Sequence, residues 1–275
     1  MALSARISNG WKVAKISINV VRTHKELLIF PVLSGLSICL VLASLFGIAS
    51  GTFGLRGIDS GTASRGIGYL AMFAFYVINY FIVVFFNMSL MHAAKQYFIG
   101  EEVSISKSLQ YSVSRLHYIF LWVVFSATVG VVLRILQDNL GWVGKLLIGI
   151  LGIAWSAATF FVIPILAYEN VRPAEALKRS TNLMKEKWGE GITANFSIGL
   201  LGFMAFVMVG IASMSISALV NEQAGIIVFA VSMLFLVILG SALNSIIISA
   251  IYNEVQDSNT QLLGNNLLND LFVEK

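Results

Sequence analysis

Six long runs of apolar residues divide the chain, and short polar or basic stretches separate them. An α-helix rises 1.5 Å per residue, so about 20 apolar residues cover the ~30 Å of hydrocarbon in a bilayer. The first run is longer than the apolar core of a secretory signal, so we expect a retained transmembrane helix there. The pattern predicts an all-α, polytopic membrane protein with six transmembrane helices. The predicted spans are 27–48, 68–91, 118–136, 146–168, 192–220 and 224–252.

Three shorter segments, at 1–26, 101–117 and 173–188, combine an apolar stripe with basic residues. The last is the clearest, because Pro173 suits the first turn of a helix and the apolar residues then recur at helical spacing. Its cations lie largely off that stripe, which is typical of a helix lying flat on an anionic membrane surface. The residues predicted to contact lipid headgroups are Lys178, Arg179, Lys185 and Lys187.

These segments suggest an internal repeat. Aligning Glu101 with Glu169, an offset of 68 positions, pairs Ser112 with Ser180, and a looser alignment places Ser17 over Ser180. The alignment predicts three repeats of an amphipathic surface helix followed by a two-span hairpin, at about 1–96, 97–168 and 169–255. Together they would form one membrane domain over 1–255, and residues 256–275 would form an amphipathic cytoplasmic tail.

The composition agrees with a membrane protein. Hydrophobic residues make up 57% of the chain and charged residues only 12%, against about 25% charged in soluble domains. The net charge of +4 does not indicate nucleic acid, because the basic residues flank apolar spans and form no block. Most of the 18 Lys and Arg residues fall on one side if the N-terminus is inside. We therefore expect a bacterial cytoplasmic (inner) membrane protein with both termini cytoplasmic.

Polar residues within or at the ends of the spans are the candidate interaction sites. Asn79 and Asn87 are eight positions apart on one face of span two, and Asn244 lies beside a serine strip on span six. They are expected to hydrogen-bond between helices, Asn79 in particular, or to line a path for a polar solute or a lipid headgroup. Glu169 and Glu254 are expected to cap or pair with the basic surface helices, or to gate a cytoplasmic mouth.

No catalytic, cofactor-binding or metal-ligating residue is predicted. His24, His92 and His117 lie on different segments without metal-ligand spacing, and Cys39 is the single cysteine. The chain also lacks a G-x-S-x-G elbow and a G-x-x-x-x-G-K-[ST] phosphate loop. The sequence therefore predicts a protein that is not an enzyme.

Several motifs carry a family resemblance. F-F-N at 85–87, T-V-G at 128–130, and P-x-x-A-x-E, A-L-K-R-S and W-G-E between 159 and 190 resemble an uncharacterised family of bacterial and archaeal six-span membrane proteins. The P-I-L-A-Y-E and A-L-K-R-S elements are distantly similar to the membrane domain that accompanies some glycerophosphodiester phosphodiesterases, whose catalytic domain this chain lacks. The resemblance implies a fold and a bacterial membrane location, but no activity.

The leading functional hypothesis is a non-enzymatic role in membrane organisation or lipid interaction, with anionic membrane lipids and a membrane-protein partner as binding partners and no nucleic acid. The alternative is a transporter of small solutes or lipids that uses the faces of Asn79, Asn87 and Asn244. An integral membrane enzyme of lipid metabolism is the third. A transporter predicts a continuous polar cavity between helices, whereas a scaffold predicts a dry core.

Overall fold

The computed structural model describes residues 14–52, 62–139 and 142–258, and every regular element in these ranges is helical. This confirms the predicted all-α class. The elements are α1 (14–23), a 3₁₀ turn (Lys25–Leu28), α2 (Ile29–Thr52), α3 (Thr62–Phe98), α4 (Ile105–Ser114), α5 (Leu116–Asn139), α6 (Trp142–Ala158), α7 (Val162–Tyr168), α8 (Pro173–Leu219) and α9 (Glu222–Ser258).

Six helical segments within the described residues are long and apolar enough to cross a membrane, as predicted. Many of their large apolar side chains are exposed, as expected of surfaces that contact lipid tails; Met214 is 76% exposed and Leu219 is 85% exposed. The segments are Lys25–Ala43, Phe73–Phe98, Leu116–Leu133, Leu146–Tyr168, Ile198–Leu219 and Glu222–Asn253.

The fourth span is not one helix. It consists of α6 and α7, which are separated by a turn over residues 159–161. Pro164 explains the interruption, because proline has no amide to donate and its ring obstructs the preceding turn, whereas the first turn of a new helix tolerates it. The predicted span over 146–168 is therefore confirmed, but it is built from two helices and not from one.

The amphipathic segment and span five form one continuous helix, α8, of 47 residues. The predicted separation of a surface helix ending at Trp188 from a span beginning at Ile192 is therefore wrong. Gly189 and Gly191 lie at this junction, but a glycine inside a helix costs only about 1 kcal/mol and does not end it. No proline follows Pro173 in α8, so every later amide retains its hydrogen.

The corner between α3 and α4 closes with a glycine. Gly100 has a φ of +74°, a conformation that glycine adopts at little cost. Its amide donates to the Tyr97 carbonyl at 3.1 Å, and the amide of Glu101 donates to the Gln96 carbonyl at 2.8 Å, which is the Schellman arrangement. The Gln96 side chain then accepts a hydrogen bond from the amide of Ser104 at 3.0 Å, just before α4 begins.

Spans five and six form the tight hairpin that the sequence predicted. Asn221 caps α9, because its side-chain oxygen accepts a hydrogen bond from the amide of Ala224 at 2.7 Å. Gly225 lies so close to α8 that a Cβ atom placed there would come within 1.9 Å of the Oγ of Ser217. Glycine at 225 therefore permits the helices to approach at the turn.

The chain divides into two compact units. The first consists of Met1–Pro31, Leu90–Ser108 and Leu183–Lys275. Its core includes Leu27, Phe30, Ile246 and Tyr252, and α9 packs against the 3₁₀ turn. Residues 256–258 of the predicted tail continue α9, and the remaining residues of that tail lie outside the described residues.

The second unit consists of Val32–Ser89 and Leu109–Asn182. In its core the rings of Trp122 and Trp155 stack with centroids 6.2 Å apart, and Nε1 of Trp122 donates to the hydroxyl of Tyr80 at 3.3 Å. Helices α5 and α6 pack against each other here.

The three serines that the repeat alignment superimposes, Ser17, Ser112 and Ser180, are each fully buried. Shared burial of a polar residue at one aligned position supports a repeat. The threefold arrangement itself stays a prediction.

Candidate functional site

The candidate site lies where α7 ends and α8 begins; its residues up to Asn182 belong to the second unit and Lys185 to the first. Glu169 follows α7 in an extended conformation, with φ −115° and ψ 144°, so the chain leaves the helix there. Pro173 then starts α8, and the amide of Ala176 makes a helical hydrogen bond to the Arg172 carbonyl at 2.9 Å. Glu175 lies in the first turn, where a negative charge suits the helix dipole. The polar residues of the site are therefore held on a short connection between two helices.

A buried hydrogen bond fixes the start of α8. The amide of Phe161, in the turn that interrupts span four, donates to the Oγ of Ser180 at 3.0 Å, and both residues are fully buried. An interrupted helix within a span needs such a partner, since lipid offers none to a free amide. Because Phe161 lies within the span Leu146–Tyr168, the first turns of α8 lie beside the end of that span.

Arg179, predicted to contact lipid headgroups, is paired within the protein. Its Nη1 contacts Oε2 of Glu169, and its Nε lies 4.0 Å from Oε1 of Glu175. Glu169 therefore pairs with the basic helix, which is one of the two roles expected of it. Both carboxylates therefore compete with a lipid headgroup for the guanidinium of Arg179.

Lys178 and Lys185 differ from Arg179. Both are exposed, and neither has an ion-pair partner among the described residues. They are seven positions apart, so they share one face of α8, roughly opposite the face that carries Ser180. The side chain of Lys187 lies outside the described residues. One side of this helix is thus attached to the protein and the other presents cations.

A second polar cluster at the same place was not predicted. Nη1 of Arg115 donates to Oδ1 of Asn170, and the hydroxyl of Tyr118 donates to the same oxygen at 3.3 Å. The guanidinium carbon of Arg115 lies 5.7 Å from the ring centre of Tyr111 and 5.4 Å from that of Tyr118. The hydroxyl of Tyr111 donates to the carbonyl of Ala167. The junction of α4 and α5 therefore holds the segment that leaves α7.

The sequence held a partial signal for this cluster. Tyr111, Arg115 and Tyr118 are spaced by four and three positions, so a helix places them on one face. Asn170, the residue that completes the cluster, lies 55 positions from Arg115. The sequence offered no reason to connect these two residues.

The predicted asparagines have different surroundings. Nδ2 of Asn79 donates to the Phe75 carbonyl at 2.8 Å. This bond lies within α3, whereas a bond between two helices was expected. Asn87 is half-buried and engaged in an interaction, and Asn244 is exposed on α9. Asn79 and Asn87 belong to the second unit and Asn244 to the first. The side chain of Glu254 lies outside the described residues.

The predicted serine strip of span six is not uniform. Ser241 is exposed, whereas Ser245 and Ser249 are buried. The Oγ of Ser249 donates to the Met91 carbonyl at 3.2 Å. At least part of this strip therefore holds α9 to α3.

The three histidines have separate surroundings. Nδ1 of His24 contacts Glu26 at 2.7 Å, Nδ1 of His92 lies 3.2 Å from the Oγ of Ser108, and the ring of His117 lies 3.7 Å from that of Tyr118. Within the described part of the chain, no group of three or more His, Cys, Asp or Glu side chains is placed to hold a metal ion.

Comparison with known proteins gives one family. Residues 66–262, most of the chain, match DUF6159, which is described as a family of unknown function. No curated protein matches the chain.

Proposed function

We propose that this chain, which belongs to the DUF6159 family of unknown function, is a non-enzymatic membrane protein that binds membrane lipids and organises them. Anionic lipids are the preferred binding partners. A membrane-protein partner would bind to the lipid-facing surface of the spans. The proposed location is the bacterial inner membrane, with both termini cytoplasmic, because that orientation places most Lys and Arg residues inside.

The observation that carries the proposal is the attachment of α8 at its start. The bond from the Phe161 amide to Ser180 seats these turns beside the end of a span, where the surface of a bilayer would lie. Lys178 and Lys185 are exposed on the far side of the same turns. Each cation near an anionic leaflet contributes on the order of 1 kcal/mol of attraction.

The transporter hypothesis takes second place. The hydrogen bond that Asn79 makes within α3 gives one donor of its amide a partner in the same helix, which supports a structural role. An enzyme of lipid metabolism remains third, and the similarity to the membrane domain of glycerophosphodiester phosphodiesterases stays a prediction.

Hydrogen exchange in lipid nanodiscs tests the proposal. Residues 173–185 of the wild type should be better protected in nanodiscs that contain phosphatidylglycerol than in nanodiscs of phosphatidylcholine alone. The K178Q/K185Q variant should lose that difference, because the attraction depends on the two charges. The matched control, K178R/K185R, keeps both charges and should keep the difference. Equal protection of the wild type in the two lipids would refute the proposal.

A further inference from the structure

Arg115 is a half-buried cation that has no carboxylate partner in the part of the chain that the structure describes. Among the described residues no Asp or Glu forms an ion pair with it, and the neighbouring Glu169 is engaged with Arg179. A guanidinium stays protonated under all physiological conditions. The described residues therefore leave its positive charge available to an anionic ligand.

The guanidinium is nevertheless held in one orientation. Tyr111 and Tyr118 lie within cation–π distance of it, and Asn170 accepts a hydrogen bond from Nη1. The hydroxyl of Tyr118 also donates to Oδ1 of Asn170, which fixes the position of that oxygen. A guanidinium has five N–H donors in a planar fork, and among the described residues one of these donors has a partner, Oδ1 of Asn170. The remaining donors suit the paired oxygens of a phosphate.

The positions of Arg115 and Asn170 along the chain indicate their depth in a bilayer. Arg115 immediately precedes the span Leu116–Leu133, and Asn170 follows the span Leu146–Tyr168 with one residue between. The start of one span and the end of the next lie on the same side of a bilayer. Both residues therefore stand at the level of the lipid headgroups, where every glycerophospholipid carries a phosphate.

We propose that Arg115, oriented by Asn170 and flanked by Tyr111 and Tyr118, binds the phosphate of a single glycerophospholipid. The inference rests on the proposed lipid interaction and adds to it a discrete site. The cations Lys178 and Lys185 respond to the net charge of the leaflet. Arg115 instead recognises the phosphate diester itself, so the site accepts a zwitterionic lipid such as phosphatidylethanolamine as well as an anionic one.

Native mass spectrometry of the delipidated full chain, titrated with phosphatidylethanolamine, tests the site. Wild type should retain one tightly held lipid. Asn170→Asp places an isosteric carboxylate beside Arg115, so the arginine gains an internal counter-ion and the affinity for the lipid should fall at least about tenfold. Arg115→Gln should cause the same loss. If that variant does not fold, Asn170→Asp decides alone, because its added charge pair favours the folded cluster. The control, Asn182→Asp, makes the same charge change at an exposed position of α8 and should bind like wild type.

Two further measurements distinguish free phosphate from lipid as the ligand, and the Arg115 site from the cations Lys178 and Lys185. Inorganic phosphate should not displace the bound lipid; if it binds the wild type at Arg115 while the lipid does not, the lipid assignment is overturned. K178Q/K185Q should keep the phosphatidylethanolamine adduct even though it loses the response to anionic lipid. Unchanged lipid affinity in Asn170→Asp would refute the site at Arg115 and would leave the proposed role of Lys178 and Lys185 standing.

Discussion

The backbone amide of Phe161 donates a 3.0 Å hydrogen bond to the Oγ of Ser180, and neither residue has solvent-exposed surface. Phe161 lies in the turn that interrupts span four, and Ser180 lies two turns into α8. The bond satisfies an amide that the interrupted helix leaves free, and it attaches α8 at the same time. The position of the cationic face of α8 therefore depends on this contact.

Ser180→Ala tests the contact. The substitution leaves the Phe161 amide buried without its acceptor, which should lower the free energy of unfolding by about 1–3 kcal/mol. Thermal unfolding in detergent, followed by circular dichroism, measures the change. Thr181→Val is the matched control, because among the described residues the Thr181 hydroxyl donates to the Leu177 carbonyl of its own helix, at 2.8 Å, and to no other helix. Equal melting temperatures for Ser180→Ala and wild type would show that the bond contributes nothing.

Gly225→Ala should destabilise the hairpin of spans five and six. A Cβ atom at this position would lie 1.9 Å from the Oγ of Ser217 and 2.7 Å from the Ser213 carbonyl, so the helices must separate. Overpacking of this kind typically costs about 1–3 kcal/mol. Gly240→Ala is the control, since no described atom beyond its own stretch of helix lies within 4 Å of the added Cβ and alanine favours a helix. A protease should therefore cleave Gly225→Ala faster than Gly240→Ala. A Gly225→Ala variant as resistant as the wild type would contradict the close approach of α8 and α9.

Arg179→Gln should weaken binding to phosphatidylglycerol vesicles less than Lys178→Gln does. Both side chains are exposed, but Glu169 and Glu175 compensate the charge of Arg179. Surface pairs contribute little to stability, about 0–1 kcal/mol, so both variants should fold normally. Vesicle flotation compares the two. A loss for Arg179→Gln that equals or exceeds the loss for Lys178→Gln would mean that the ion pairs open at the membrane.

Single cysteines test the proposed orientation. In a Cys39→Ser background, Glu102→Cys marks the connection between α3 and α4, and Gln223→Cys marks the hairpin; both positions are exposed. A thiol reagent that cannot cross the membrane should label position 223 in intact cells and position 102 only after the cells are opened. Labelling in the opposite order would reverse the orientation and place the cationic face outside.

The six spans follow from the sequence because apolar length alone decides whether a segment can cross a bilayer. The continuity of α8 did not follow from the sequence. Gly189 and Gly191 weaken a helix without ending it, so the pattern does not decide whether the helix continues. The interruption at residues 159–161 had a visible cause in Pro164. Its consequence, a buried bond to Ser180, depends on tertiary contact that periodicity cannot show.

The candidate site was predicted in part. The cationic face of α8 and the pairing of Glu169 with it are local, because Glu169 and Arg179 are ten positions apart. Lys178 and Arg179 looked alike in the sequence, and only the structure separates the exposed cation from the paired one. The cluster around Arg115 depends on Asn170, and no single-sequence pattern joins residues so far apart.

The membrane depth of Asn182, an exposed residue one turn from Lys178, shows whether the start of α8 lies on the lipid surface. A spin label at Asn182→Cys, in the Cys39→Ser background, reports depth through its collisions with oxygen and with a water-soluble nickel complex. Met214→Cys, 76% exposed within the span Ile198–Leu219, gives the hydrocarbon reference. In bilayers that contain phosphatidylglycerol, the label at 182 should lie at headgroup level, within about 10 Å of the acyl boundary. A label at 182 that is as accessible to the nickel complex as one in bulk water would contradict the account.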